Sequence, residues 1–587
     1  MKNVIRHSLL LLVLALAFAA AAQEPASLFI DRVDVDVVNV EVFVTDGQGH
    51  RVTGLGVDDF EIFEDGQPVE VSNFYAVDRA DRVVDRFADD RRLIRGRTAS
   101  AEPREVPEDQ QLNLVVYVDH FNLRPANRKR VLDDLARFLE DRITQGDNIM
   151  LVGFDRTLEI VHPFTRDRAE VTDGLRQMAK AATHGQITDA RRRQLMRFMA
   201  PAAAAPFGSL PDRSAPGDDE QNAYQLIRSY VQQVRNEIRY SMDALEKTTR
   251  ALAGLPGRKA LIYVSDGIEK RPGESLYQHF ADLYGQSLPA GNGTIDPFAE
   301  SIHEAENHLM NDIIRQANAH QVTFYTLDAR GPGGDSLSAE YADFSAGSGG
   351  RASLDVMQSL NLQEPLIQMA AATGGSTVLN TFNFDVAFQD LAEDFDSYYS
   401  LGYRPRNAGD GRFHKIEVRV KGEKYKVRHR SGYVDKPEEE KVADRTLSSL
   451  VLNLEKNPLG VDVDFGIPEK RGGNTYYLPV MIRIPFREVT LLPSGGVEQG
   501  RLRIFLAVQD EKGGVSKPHD FVYPLSVPTD QLAAARDREI GYVTTLKIRE
   551  GVPKIAIGVW DELSGTESFI HKRVLVGKEA KKQSKRG

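Results

Sequence analysis

Across 587 residues the chain has no cysteine. That excludes disulfide staples, thiolate metal centres, thiol nucleophiles and the lipidated cysteine of a bacterial lipoprotein. Stability must come from packed apolar cores, and with 41% of residues hydrophobic there is enough material for several of them, in about three to five domains on length alone. A basic excess is also missing. The 74 lysines and arginines face 85 aspartates and glutamates, a net charge of -11, so nothing holds a polyanionic backbone non-specifically and nucleic acid is not an expected partner. Beyond residue 22 no apolar run approaches the ~20 residues that a bilayer-spanning helix requires.

Catalytic signatures are lacking too. His303 and His308 in HEAENH are five apart, which turns them about 140° away from each other on a helix, whereas zinc-helix histidines sit four apart on one face. GLPGRKA lacks the spacing and the Ser/Thr of a phosphate-binding Walker loop, and Gly347-Ser348-Gly349 lacks the strand-turn-helix setting of a nucleophile elbow. The acidic pairs Asp58-Asp59 and Asp218-Asp219 lie in polar, turn-like stretches where solvation is the default. The tyrosines Tyr398, Tyr399 and Tyr403 could present a binding surface, but tyrosines on a strand are more often core and edge packing. No enzymatic activity is expected from any of these.

What is present begins with a secretory signal over residues 1–22: Lys2, Arg6 and His7 supply the positive start, Leu9 to Ala19 the apolar run and Ala20-Ala21-Ala22 the cleavage site. An uncleaved anchor is the alternative. Export implies the periplasm, the outer surface or the extracellular space. Residues 23–77 form a small β unit, with VDVDVVNVEVFV and DDFEIFEDG alternating apolar and polar residues around Asp-Gly turns, and it needs a neighbour to cover its open face. A charged linker follows over 78–111.

From residue 112 to 396 the pattern changes. LNLVVYV, NIMLVGF, KALIYVS and QVTFYTL are apolar on both faces and alternate with amphipathic helices such as Arg128 to Arg142, with Val131, Leu135, Phe138 and Leu139 on one stripe, and Ile302 to His320. This predicts an α/β fold with a doubly wound, mostly parallel sheet whose ligands bind beyond the carboxyl ends of the strands. Insertions rich in Ala/Pro and in Gly/Ser fall at 201–221 and 331–351. A β extension over 397–435 could extend or flank that sheet. A helical linker over 436–458 leads to an immunoglobulin-like β-sandwich over 459–577, and residues 578–587 form a basic tail.

Three stretches carry the functional reading. VVYVDHFNL ends the first strand at Asp119, GQITD holds Thr188, and GRKALIYVSDG ends a later strand at Asp266. Together they resemble the von Willebrand factor A family, and more narrowly the related proteins common in acidobacterial genomes. DDFEIFEDGQPVEV, GLPGRKALIYVSDG and YYSLGYRP with KIEVRVK and GYV share that narrower likeness. The resemblance covers roughly Leu28 to Asp435. It implies a Rossmann-like domain with a metal-ion-dependent adhesion site at the sheet's carboxyl edge, where Mg²⁺ held by oxygen ligands leaves one position for a partner's carboxylate.

Residue by residue, Asp119 matches the family's first aspartate, Thr188 the second-loop threonine and Asp266 the third-loop aspartate. Phe121 and Leu123 stand where two serines belong, and Asn122 offers an amide oxygen one residue out of register, with Asp189 a nearby carboxylate. The candidate metal set is therefore Asp119, Asn122, Thr188 and Asp266, a degenerate form of the family's site. Aspartates at strand ends also cap loop amides without any ion. The expected function is adhesion or protein-protein interaction through the carboxyl-edge loops. The rival readings are an envelope enzyme or accessory subunit with no recognisable motif, and a metal-free structural module of an envelope assembly.

Overall fold

The computed structural model describes residues 37–78, 111–144, 146–199, 218–284, 288–290, 293–295, 307–332, 349–406, 408–422 and 424–577. The signal sequence, most of the 78–111 linker, most of both insertions, His303, Gly347-Ser348 and the basic tail lie outside the described residues.

Strand β1 (Val38–Thr45) points its alternate valines inward; β2 (Phe60–Glu64) follows after the longer connection of residues 46–59, and β3 (Gln67–Val69) and β4 (Val71–Asp78) follow across short turns. On β1, Val38, Val40, Val42 and Val44 are buried on one face. The opposite face carries Glu41 and Phe43, as the two-residue period of a strand requires.

The α/β domain runs through β5 (Leu112–Asp119), α1 (Pro125–Thr144), β6 (Asn148–Asp155), β7 (Thr157–Thr165), α2 (Arg168–Lys180), α3 (Gly185–Met199) and α4 (Asp218–Ala251). It continues through β8 (Arg258–Ser265), α5 (Glu274–Tyr284), the short pair β9 (Leu288–Ala290) and β10 (Gly293–Ile295), α6 (Asn307–Ala319), β11 (Val322–Asp328), α7 (Gly349–Thr373), β12 (Thr377–Val378) and α8 (Phe384–Asp396). The strands order as β12-β11-β8-β5-β6-β7, parallel throughout except for the antiparallel edge strand β7.

Every residue of β5 is buried, because both faces of the sheet are covered. Val115 and Tyr117 point into a core built with α4, α5, α6 and α7. Leu114, Val116 and Val118 point into a second core with α1, α2 and α8. The apolar stripe expected from Val131, Leu135, Phe138 and Leu139 lies in this second core.

Strands β13 (Ser397–Tyr403), β14 (Phe413–Val420), β15 (Lys426–His429) and β16 (Gly432–Val434) do not extend the parallel sheet. They return to the N-terminal strands and make two antiparallel sheets, β15-β1-β13-β4 and β16-β14-β2-β3, around one core that includes Tyr399, Leu401 and Tyr403. The α/β domain is thus inserted into a small β-sandwich whose halves come from either side of it. The outer face of β1 seats this sandwich on the α/β domain: Glu41 takes both arms of the Arg258 guanidinium at 2.9 and 3.1 Å, and Arg258 lies 3.8 Å over the Tyr398 ring.

Helix α9 (Glu438–Leu452) then leads into β17 (Asp462–Phe465), β18 (Glu469–Gly472), β19 (Thr475–Pro485), β20 (Leu492–Ser494), β21 (Val497–Gln509), β22 (His519–Pro528), β23 (Glu539–Arg549), β24 (Lys554–Asp561) and β25 (Glu567–Arg573). These form two antiparallel sheets enclosing one core, with Ile482 and Ile484 from one side meeting Ile504, Leu506 and Ile557 from the other. The back of the β21-β24-β25 sheet is covered by α9, whose Val442, Leu447 and Leu450 pack on Phe505, Ala507, Ala556 and Phe569. No described helix is long and apolar enough to cross a membrane.

Candidate functional site

The carboxyl ends of β5 and β8 and the start of α3 meet at one edge of the parallel sheet. There Asn122, Thr188 and Asp266 line a single depression of about 80 Å³ together with Arg124, Asp189 and Arg330. Asp119 lies directly behind Asn122. It caps the short helical turn His120–Asn122, accepting from the Asn122 backbone N–H at 3.1 Å, the Asn122 amide at 2.7 Å and the Tyr263 hydroxyl at 2.5 Å. Asn122 also donates to Ser241 Oγ on α4 at 3.1 Å. The three sequence stretches therefore converge, and their loops are stitched by backbone bonds: Asp266 N–H to Asn122 O at 3.0 Å and Gly185 N–H to Leu123 O at 3.3 Å.

Asp266 accepts from the Arg124 backbone N–H at 2.9 Å and from the Asn127 amide at 2.9 and 3.0 Å. The next residue, Gly267, has φ +104 and a Cβ there would meet Leu362 at 2.7 Å, so only glycine allows the third loop to close onto α7. Thr188 donates to Glu237 on α4 at 3.2 Å. Both aspartates are buried. Burial raises the Asp119 carboxyl to about 6 against the pull of Tyr263 and Asn122. Burial likewise raises Asp266 to about 7, with the Arg124 charge and Asn127 opposing it.

The residues present do not fit a Mg²⁺ ion. A hard divalent cation needs convergent oxygens. Here the Asp119 and Asp266 oxygens are taken up by N–H and O–H donors, and the Asn122 amide nitrogen faces Asp119 and Ser241. Phe121 and Leu123, at the positions the family gives to serines, are buried, Phe121 against Phe154 and His184. Among the described residues no group of three or more His, Asp or Glu side chains is arranged to hold a metal.

What occupies the rim instead is guanidinium. Asp189 is approached by Arg124 at 3.0 Å, Arg192 at 3.4 Å and Arg193 at 3.0 Å, so three cations share one carboxylate. Arg330 is held by both oxygens of Asp328, at 2.9 and 2.8 Å. Beneath them Glu269 accepts from Tyr230, Gly273 and Gln358 at 2.9, 2.8 and 3.1 Å, a closed network that fixes α4, α5 and α7 around the floor. Of the two insertions, 331–351 departs next to Arg330 at this edge, whereas 201–221 leaves from Met199 at the far end of α3, roughly 20 Å along the helix from Gly185.

Sequence reasoning missed Arg124, Asn127, Ser241, Tyr263 and Arg330. Tyr263 was within reach, since Tyr117 and Tyr263 sit opposite each other in the β5–β8 register, two residues before each strand's end on β5 and on β8. Ser241 lies in mid-helix and gives no local signal. His308 is exposed near the start of α6.

No family model matches the chain, and no curated protein does. Among solved structures the chain is similar to the pilus adhesin SpaC from Lactobacillus rhamnosus GG in its open conformation, at 7% identity over 88% of this chain and 56% of that one, with a TM-score of 0.24. It is also similar to three N-terminal domains of the type V pili tip protein Mfa5 from Porphyromonas gingivalis, at 10% identity over 86% of this chain and 78% of that one, with a TM-score of 0.24. Proximal thread matrix protein 1 from the mussel byssus shows 12% identity over 49% of this chain and 47% of its own, with a TM-score of 0.21. The chain thus spans about half the length of the adhesin and byssus chains it matches, and likenesses this distant carry no argument about function.

Proposed function

We propose that the chain is an exported interaction protein whose α/β domain is a von Willebrand factor A-like module binding a protein partner at the carboxyl edge of its sheet. Arg124, rather than a divalent cation, meets a carboxylate of that partner. The observation that carries this reading is the convergence of Asn122, Thr188 and Asp266 on one depression with Arg124 at its lip. The Arg124 guanidinium is a quarter exposed. Its counter-charge Asp189 is shared with Arg192 and Arg193, and guanidinium is the side-chain group whose geometry matches a planar carboxylate. The charged start and apolar run of residues 1–22 support export.

Capture of partners from a bacterial envelope extract on immobilised full-length protein tests the reading. Capture is expected to survive EDTA, to weaken with added salt, and to fall about tenfold or more in Arg124→Met, in line with the ~1.5–3 kcal/mol typical of a hydrogen bond to a charged group. Capture abolished by EDTA and restored by Mg²⁺ would instead return the ion to the interface.

A further inference from the structure

At the opposite edge of the parallel sheet, where its strands begin, a cavity of about 570 Å³ opens between three bodies. Asn113, Asn148 and Lys259 approach it from the amino ends of β5, β6 and β8; Lys436 follows β16; α9 and the β25 end of the C-terminal sandwich close the remaining side. Its volume is that of a small-molecule site, and domain junctions are where such sites concentrate. The charged lining is Lys259, Lys436, Lys441, Arg445 and Lys456 against Asp444, Glu455 and Glu567, a local cationic excess in a chain of net charge -11.

Two buried side chains stand out in this lining. Lys259 is 7% exposed, and its ammonium donates to the Leu255 carbonyl at 3.0 Å rather than to a carboxylate. Burial, helped by Arg430, brings it down to about 8 although Asp444 and Glu41 act the other way. His320 is 4% exposed and its ring bonds the Thr249 backbone carbonyl, but its Nδ1 has no hydrogen-bond partner; burial keeps the ring neutral. Buried polar atoms in native proteins are almost always paired, so each exception calls for a partner.

Among the other cations, Lys436 is paired with Asp444 at 2.5 Å, Lys441 with Glu438 at 3.3 Å, and the Arg445 Nη2 with Glu438 at 2.6 Å and Glu567 at 2.5 Å, leaving the buried Arg445 Nε without a hydrogen-bond partner. Within this one cavity an ammonium point charge donates and an imidazole nitrogen can accept from a P–OH, a combination that suits a monoprotonated phosphate.

We propose that this interdomain cavity binds a small phosphate-bearing molecule, its phosphate lodged against Lys259 and His320. Because α9 both lines the cavity and covers the C-terminal sandwich, the ligand also ties that sandwich to the α/β domain.

Isothermal calorimetry on the full-length protein, with inorganic phosphate and glycerol 3-phosphate as probes, tests the assignment. Saturable binding is expected for at least one probe, weakened about tenfold or more in both Lys259→Met and His320→Phe, and unchanged in Lys512→Met, which alters an exposed hairpin of the C-terminal sandwich. Circular dichroism checks folding, with Lys259→Gln and His320→Gln as replacements for a variant that does not fold. No saturable heat from either probe, or undiminished affinity in a folded variant at either position, overturns the proposal.

Discussion

Asp119 and Asp266 are carboxylates held inside the protein by amide and hydroxyl donors, and their elevated values have a consequence for stability. A free aspartate gives up its proton near 3.8, whereas in the folded chain Asp119 holds it to about 6 and Asp266 to about 7. Between those limits the native state binds more protons than the unfolded state, so stability falls as pH rises from about 4 to about 7 and then levels off. At about 1.4 kcal/mol per unit the loss is about 3 kcal/mol for Asp119 and about 4 kcal/mol for Asp266. Urea unfolding at pH 4.5 and pH 7.5 should show the decline, and Asp266→Asn, which keeps an acceptor for the Arg124 N–H, should reduce it. An unchanged pH difference in Asp266→Asn would remove Asp266 as its source. The strand-end positions of Asp119 and Asp266 were legible in the sequence because an acidic residue terminates each apolar run. Their partners were not legible, since the Tyr263 hydroxyl comes from 144 residues away and no local pattern specifies which donor fills a buried carboxylate.

Among the elements, the parallel strands and the α1 stripe could be read from sequence because burial on both faces leaves continuous apolar runs and one-sided helices. Edge strand β7 was not, since TLEIVHPFT is only partly buried and contains Pro163. The strands of 397–435 were recognisable as strands, but alternation reports a half-buried face, not which sheet receives it. Their pairing with β1, β2 and β4 links residues on either side of the inserted domain. The seam between α4 and α9 is equally silent in sequence and equally exacting. A Cβ on Gly254 would lie 2.3 Å from the Arg445 Cα, and Ser448 Oγ accepts from the Gly254 N–H at 2.9 Å. Since backbone must move to admit a methyl there, Gly254→Ala should cost about 1–3 kcal/mol in chemical unfolding and speed proteolysis within residues 436–458. Wild-type stability and cleavage would show the seam to be loose.

For the molecule as a whole, the order of domains along the chain differs from their order in space. One sandwich is split by the α/β domain, and a second follows a helix that belongs to it by packing rather than by sequence. The helical linker expected over 436–458 is thus a structural layer: without α9, the apolar outer face formed by Phe505, Ala507, Ala556 and Phe569 would be bare. A fragment of residues 436–577 is therefore expected to unfold cooperatively, while 459–577 should aggregate or unfold at much lower denaturant, as measured by fluorescence of the single tryptophan, Trp560. Equal stability of the two fragments would reduce α9 to a tether.

The proposed use of guanidinium rather than a bound cation at the carboxyl edge makes a direct prediction for Mg²⁺. Calorimetric titration of Mg²⁺ into the full-length protein at neutral pH, alongside Asp266→Ala, tests it most directly. No binding heat is expected from either protein, whereas stoichiometric heat from the wild type that vanishes in Asp266→Ala would place a cation at this edge.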